Sequence, residues 1–499
     1  MSRYTYATAT AADEVAQLIA EVYEGSFYYV PERNNFFIWD GARWSEDTDN
    51  TVYEWVRGVA REIEKVAGEH ESSAINEETL AAGVQNSDEK GVFVAKAKMY
   101  RGKAAERRKV VKYLRSPSGH DGVVTQLKRM PGITKSMEEF DVPEDSVNTR
   151  YGTLHISAEG VELTQFDADE LRTTLVDVEY DEHAECPRWE QFLNECFPDQ
   201  PEMPGYLQRL VGYALLGRRT EHIMPVLYGP RGRNGKSTFI KTLTGVLSNE
   251  VVIHPKFSSF TEKGGNSDIR VDLIALQNKR IAFSSEGDRQ SKIDSALVKE
   301  LTSHDVISAR LPYARKMTQF QTKGVIMLVT NFEPNIDGSD AALFRRVKQI
   351  EWRQEFTGER EILGLDEILL AERVGIFRWI VDGAIAYLRH GFQEPASVTR
   401  ATEDLKNAND PLYGFLPGIY VSDPDVETPT NMKTIHQDYE SWVVAESIPA
   451  KLQYGRRGLG KALKNAGVRT KKNNKGDTAY CVRKVADVER THRIRPDAA

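Results

Sequence analysis

The stretch that decides the fold runs Ile223-Met-Pro-Val-Leu-Tyr228, then Gly229-Pro-Arg-Gly-Arg-Asn-Gly-Lys-Ser-Thr238, then Phe239-Ile-Lys-Thr-Leu-Thr-Gly-Val-Leu247. The first part is a short apolar run, as in a buried strand. The last part has apolar residues at 239, 240, 243, 246 and 247, which share one helical face. Between them lies a glycine-rich loop. Phosphate oxygens need backbone N–H donors that converge with no side chain in the way, and Gly232 and Gly235 permit that. The helix opening at Ser237 adds the positive end of its dipole. The expected nucleotide contacts are Gly229, Gly232, Arg233, Asn234, Gly235, Lys236, Ser237 and Thr238. Lys236 reaches the β- and γ-phosphates, and the Ser237 hydroxyl is a natural magnesium ligand. ATP and Mg2+ are therefore the expected cofactors. One departure stands out. The strict Gly-x4-Gly-Lys-Ser/Thr spacing puts its first glycine at 230, which is Pro230, so the loop is one residue longer or bent differently.

Hydrolysis needs more than a loop: an acid to hold magnesium or activate water, a polar sensor of the γ-phosphate, and a cation for the transition state. Arg280-Ile-Ala-Phe-Ser-Ser-Glu286 reads as a strand ending in a carboxylate, which makes Glu286 the candidate base and a second metal ligand. Gly324-Val-Ile-Met-Leu-Val-Thr-Asn331 ends in an amide suited to the attacking water or γ-phosphate. The plainer reading of Asn331 is a turn former. Arg345 and Arg346 follow; either fits a finger reaching a neighbouring subunit, or both form a surface pair.

Outward from this core, 499 residues call for two to four domains. No apolar run approaches the ~20 residues that span a bilayer, and the start has no signal-peptide pattern. Cys186, Cys196 and Cys481 form no Cys-x-x-Cys pair; all three read as structural, in a reducing cytoplasm. A net charge of −8 argues against a general nucleic-acid coat, but two local basic blocks stand out, 96–115 and 451–484. Either block is also consistent with a solvated helix face. Phe36–Trp39, an Asp40-Gly41 turn and Ala42–Trp44 read as a hairpin. Residues 52–115 read as polar helices, 117–122 as a break, and 409–430 as a linker or long turn. The expected domains are 1–185, a helical segment 186–222, an α/β core 223–400, and a small α+β unit within 410–499.

The compact order Lys236, Glu286, Asn331 and Arg345-Arg346 resembles that of the superfamily 3 helicases of viruses, phages and plasmids. The closer likeness is to the phage and plasmid primase-helicases related to the poxvirus primase-helicase. It extends to Trp39-Asp-Gly-Ala-Arg-Trp44, Cys186–Phe192, Leu207–Tyr213, Ile307–Arg310, Gly375–Trp379, Asp410-Pro-Leu and Tyr439–Trp442. The resemblance implies an α/β fold: a P-loop AAA+ core preceded by an α+β domain and helical collar, and followed by a winged helix. It implies a homo-oligomer, a hexamer, moving 3′ to 5′ on single-stranded DNA in a central pore. Two features depart from the family. Ser285 stands where a second acid is common, leaving Asp288 as a weak substitute. The expectation is also that no catalytic primase domain precedes residue 1, with the linked primase activity absent or supplied by another chain.

The resemblance also implies a pore hairpin, with strands in Val306–Leu311 and Thr318–Lys323. Arg315 and Lys316 at its tip suit phosphate, and Tyr313 suits base stacking. In the last unit, Lys461, Lys464, Lys471 and Lys472 lie on or near a helix and basic turn suited to duplex DNA, or to another replication protein. The reading is a ring-forming ATP-dependent DNA helicase for phage or plasmid replication, working in the host cytoplasm with no membrane partner. An AAA+ loader or remodeller is the enzymatic alternative, and a nucleotide-assembled origin-binding protein the non-enzymatic one.

Overall fold

Two long helices, alanine-rich along one face, shape the first part of the chain. The structure is a computed structural model. It describes residues 5–142, 144–218, 220–261, 271–285, 292–303, 305–309, 318–336, 340–410, 412–416, 418–446, 448, 453–472 and 477–486. Glu286, Asp288, Tyr313, Arg315 and Lys316 lie outside these. The chain divides into two compact units, 1–155 with 162–175, and 156–161 with 176–499.

The first unit begins with α1 (Ala12–Val22) and the antiparallel strands β1 (Phe27–Val30), β2 (Asn35–Trp39) and β3 (Trp44–Glu46). Trp39 pairs with Trp44, so all of 40–43 is turn, longer than the two residues expected. The Asp40 carboxylate accepts the N–H groups of Ala42 and Arg43, both at 2.9 Å, and this local bonding extends the loop. Then come α2 (Thr51–Gly83), α3 (Ser87–Leu114) and α4 (Pro117–Leu127). Ala60, Ala67, Ala74 and Ala81 are buried at seven-residue spacing on α2, and Ala97 and Ala104 on α3. Small residues at a heptad spacing let two helices pack closely along a seam. The expected break at 117–122 is instead the first turn and a half of α4. Ser116 caps it by accepting the Gly119 N–H at 3.1 Å, and Pro117 sits where no helical N–H is needed. The short strands β4 (Ser146–Asn148), β5 (Thr153–Ile156) and β6 (Val161–Thr164) form a three-stranded sheet in that order.

The second unit opens with α5 (Pro187–Cys196) and α6 (Met203–Leu216). Next come β7 (Met224–Tyr228), α7 (Lys236–Val251), β8 (Val252–Ile253), α8 (Val271–Ile274), β9 (Ile281–Ser285) and α9 (Ser295–Thr302). They are followed by β10 (Ile307–Ala309), β11 (Thr318–Phe320), β12 (Val325–Thr330), α10 (Ala341–Phe344), β13 (Val347–Glu351), α11 (Leu365–Leu370), α12 (Arg373–His390) and α13 (Ala396–Asn409). The central sheet is parallel, in the order β13-β7-β12-β9-β8. Its inner strands are apolar runs because helices cover both faces of a parallel sheet. Helix α6 crosses α12 at bare backbone. A Cβ on Gly212 would stand 2.1 Å from the Ala384 nitrogen, and one on Gly383 2.1 Å from the Gln208 carbonyl. The segment 186–222 is thereby part of this unit's packing.

The last part holds β14 (Tyr420–Ser422), β15 (Thr430–Asn431), α14 (Met432–Ala445), α15 (Arg456–Asn465), β16 (Thr470–Lys472), β17 (Thr478–Tyr480) and β18 (Val482–Lys484). Its core gathers Phe415, Tyr420, Ile435, Tyr439, Leu459 and Leu463. The expected linker at 409–430 thus supplies core side chains, among them Leu412, Phe415 and Tyr420. The chain over 478–484 divides at the buried Cys481 into two short strands. Its first half pairs with β15 and β16, its second with β14. No helix among the described residues is long and apolar enough to cross a membrane.

Candidate functional site

The carboxyl edge of the parallel sheet is where chain leaving β7 must turn back into α7, and ligands of such sheets bind at that edge. Flanking strands fix the mouth of the turn. Gly229 N–H donates to the Thr330 carbonyl at 3.1 Å, and Trp352 N–H to the Tyr228 carbonyl at 2.7 Å. Beneath it, Phe239 of α7 stacks on Trp189 with ring centroids 5.6 Å apart and packs against Trp352 at 5.4 Å. The loop therefore rests on an aromatic floor.

Lys236 is only 4% exposed. Its Nζ donates to Asn331 Oδ1 at 2.9 Å and to the Gly229 carbonyl at 3.2 Å. Burial lowers its pKa to about 8. A Cβ on Gly229 would stand 2.2 Å from Asn234 Nδ2 and 2.5 Å from Lys236 Nζ. The glycine this loop requires at its start is therefore 229, and Pro230 is accommodated one place later. Gly235 has φ +89°, and a Cβ there would meet Cys196 Sγ at 2.7 Å. A Cβ on Gly232 would meet nothing within 4 Å, so the steric need expected there is absent. α7 begins at Lys236, one residue earlier than expected, and leaves Ser237 exposed and Thr238 half-buried in its first turn.

The remaining loop residues are tied to the protein itself. Asn234 is buried; its amide donates to the Arg231 carbonyl, and its oxygen accepts the Lys236 N–H at 3.5 Å. It braces the loop from within. Arg233, at φ +57°, pairs with Glu361 at 2.9 Å, and its carbonyl accepts the Phe356 N–H at 2.8 Å. Arg231 pairs with Glu355 at 3.3 Å. The segment after β13 therefore forms a wall beside the loop. Sequence reasoning passed over it, although a lone Phe356 inside the charged run 351–361 was a visible signal.

Strand β12 lies between β7 and β9, which brings Asn331 to Lys236 and sets the end of β9 one strand further away. Ser285 is exposed at that end. Arg345 and Arg346 part company. Arg346 donates from Nε to Thr302 Oγ1 at 3.0 Å and from Nη1 to the Ala342 carbonyl at 2.9 Å. Arg345 is exposed, and among the described residues its guanidinium has no hydrogen bond or ion pair. Strands β10 and β11 pair antiparallel, Ile307 with Phe320 and Ala309 with Thr318; the tip between them lies outside the described residues. Among the described residues no cluster of His, Cys, Asp or Glu could hold a metal ion by itself. All three cysteines are free and buried, and burial pushes the Cys186 thiol up to about 12.

The basic blocks differ from their linear appearance. In α3, Arg101 pairs with Glu71 at 3.1 Å and Glu78 at 2.8 Å, and Arg108 with Glu71 at 3.2 Å. Arg107 is buried and donates to the Ala9 carbonyl. In the second block, Arg483 pairs with Asp423, Lys484 with Asp438 at 2.7 Å, and Lys471 Nζ donates to the Val426 carbonyl at 3.4 Å. Lys461 and Lys464 project from α15 opposite its buried Leu459, Ala462 and Leu463, and Lys472 is exposed on β16.

Residues 16–198 match a family described as D5 N terminal like. Residues 227–346 match a family described as of unknown function, DUF5906. No curated protein matches the chain. Solved structures of the NrS-1 C terminal region are similar at a distance. One A form apo structure is 13% identical, with a TM-score of 0.39, covering 66% of this chain and 81% of that one. Another apo structure of the region is 10% identical, with a TM-score of 0.34, covering 69% and 94%. Likeness at this level does not bear on function.

Proposed function

We propose that the chain is an ATP-dependent DNA helicase of the superfamily 3 kind, acting as a ring in phage or plasmid replication. The observation that carries this is the placement of Lys236. It is a buried cation at the carboxyl edge of a parallel sheet, held by two neutral acceptors, beside a helix N-terminus. A triphosphate supplies the anion such a cation lacks. With nucleotide in the loop, Lys236 exchanges Asn331 and the Gly229 carbonyl for phosphate oxygens. The freed Asn331 amide then holds the attacking water or the γ-phosphate. Ser237, exposed in the first turn of α7, fits as one ligand of a magnesium ion that neutralises phosphate charge, with Glu286 as a second ligand and the base.

Arg345 is the finger of this mechanism, because its guanidinium is available to a neighbouring subunit and that of Arg346 is engaged within its own. The tip bearing Tyr313, Arg315 and Lys316 grips the strand in the pore. The C-terminal unit is the winged helix, with Lys461, Lys464 and Lys472 toward a duplex or a replication partner. The match of residues 16–198 to a D5 N terminal like family supports the replication setting.

ATP hydrolysis with and without single-stranded DNA, together with strand displacement, tests the reading. DNA-stimulated hydrolysis with displacement is expected. Hydrolysis without displacement would favour a loader, and no hydrolysis would leave a nucleotide-assembled binding protein.

A further inference from the structure

Beside the loop, a cleft of about 150 Å³ opens between α5 and the segment after β13. It begins at Gly235 and Thr238. Lys236 turns its amine the other way, to Asn331 and Gly229. We propose that this cleft is a nucleobase pocket and takes the purine ring of the nucleotide whose phosphates occupy the loop. The inference rests on the nucleotide reading of that loop and adds the base site to it.

The walls have the right chemistry for a flat ring. Phe192 closes the floor, its ring buried against the back of Gly235. Phe356 forms a side, with the Arg360 guanidinium 5.0 Å from its ring centre. A base entering here meets the half-buried ring of Phe356 and the guanidinium plane of Arg360, surfaces on which bases stack. The rim is acidic where a purine edge carries N–H donors. Glu195 is oriented by Gln191 at 2.7 Å and Arg188 at 3.3 Å, and Glu361 is held by Arg233. Arg233 links the two halves of the site. It belongs to the loop, yet its side chain and carbonyl both anchor the segment that bears Phe356. A polyphosphate running from Lys236 past Thr238 would therefore deliver its base against Phe356, above the floor that Phe192 forms.

Titration of the full chain with ATP and with inorganic tripolyphosphate separates the base from the phosphates. Phe356→Ala should weaken ATP by about tenfold or more and leave tripolyphosphate within about twofold, with Phe356→Tyr close to wild type. Equal weakening of both ligands would mean that Phe356 serves the loop alone, and would overturn the proposal. No change in either, while Lys236→Ala loses both, would put the base elsewhere and leave the phosphate site standing. Failure of the wild type to bind either ligand would sink the nucleotide reading itself, and the pocket with it. Photolabelling of the wild type with 8-azido-ATP needs no variant. Adducts are expected on peptides containing Phe192 or residues 356–365, and labelling confined to other peptides would overturn the pocket.

Discussion

Lys236 and the lysines of α15 and β16 handle positive charge in opposite ways. Lys236 is buried, and among the described residues its hydrogen-bond partners are an amide oxygen and a backbone carbonyl, with no carboxylate. Lys461, Lys464 and Lys472 stand in solvent, each cheap to keep charged. A buried cation without a counter-ion is costly, and an incoming anion recovers that cost in one binding event. Surface cations act differently: each adds a small, salt-screened increment to a polyanion's affinity. A third arrangement, in α3, neutralises Arg101 and Arg108 against acids of α2. Basic residues along the chain therefore stand in three different settings, and the position of the nearest acid decides which.

The largest effect is expected at the buried site. Lys236→Ala should bring ATP hydrolysis to background; activity within a few-fold of wild type would show that the loop is not a phosphate site. Arg345→Ala should spare ATP binding yet slow hydrolysis by ~10³-fold or more, whereas Arg346→Ala should mainly loosen the packing of α10 on α9. Mixing Arg345→Ala with Lys236→Ala subunits should restore some hydrolysis, because one intact loop can then face one intact finger. No recovery despite proven subunit exchange would place the finger in its own subunit.

Much of the core was legible because its signals are local. The apolar run of β7, the glycine-rich turn and the one-sided helix α7 all sit within residues 224–251, and the strand-ending position of Asn331 is equally local. What the sequence could not show is long-range. Glu355 and Glu361 restrain loop residues more than a hundred positions away, and Glu372 caps α5 by accepting the N–H groups of Arg188 and Trp189. Turn chemistry misled at Asp40 and Pro117, where a side-chain acceptor and a proline at a helix start resemble a tight hairpin and a break. The alanine heptads of α2 are faint in the sequence, because a seam of small residues carries little hydrophobic signal.

At the C-terminal surface the effect should be smaller and graded. Replacing Lys461, Lys464 and Lys472 together by alanine should weaken duplex binding and flatten its dependence on salt, by up to about 0.9 in log–log slope for each phosphate no longer neutralised. An unchanged slope would remove this face from DNA binding and leave the partner-protein alternative. Lys236→Ala, by contrast, should leave the same slope untouched when nucleotide is absent.

Acidity gives a test with two opposite signs. The Lys236 amine titrates at about 8 in the folded chain against 10.5 when free. Between those values the unfolded chain holds the extra proton, so stability without nucleotide should rise as pH climbs through 8. Below 8 the penalty of the buried charge is fully present. ATP reverses the sense, since its phosphates favour the protonated amine. Affinity should be flat below pH 8 and fall above it, by at most about tenfold per unit. Melting curves and ATP titrations from pH 7 to 9.5 read both trends, the first as the difference between wild type and Lys236→Ala, because the raised Cys186 thiol and the lowered Lys279 amine also change with pH. A wild-type affinity that stays level to pH 9.5 would mean that Lys236 does not face the phosphates.

The smallest expected effect concerns α3, where the sequence shows a denser basic run than in the C-terminal unit. Arg101 and Arg108 are half-exposed, and acids of α2 already occupy the forks of their guanidinium groups. A DNA phosphate would have to displace a carboxylate at each, exchanging one ion pair for another and releasing no counter-ion from the protein's side. Their net contribution to polyanion binding should therefore be close to nothing. Removing both, as Arg101→Ala with Arg108→Ala, exposes Glu71, Glu78 and Glu64 and leaves the alanine seam intact, so the α2–α3 pair should still form. DNA affinity should stay within about twofold, with an unchanged salt slope. Glu71→Gln with Glu78→Gln makes the test two-sided, because it frees the same arginines without removing them. If pairing silences this block, that variant should bind DNA more tightly and with a steeper salt dependence than wild type. A loss of affinity in the arginine variant would instead show that α3 touches DNA despite its acids, and that proximity of acids is a poor guide to which basic runs bind.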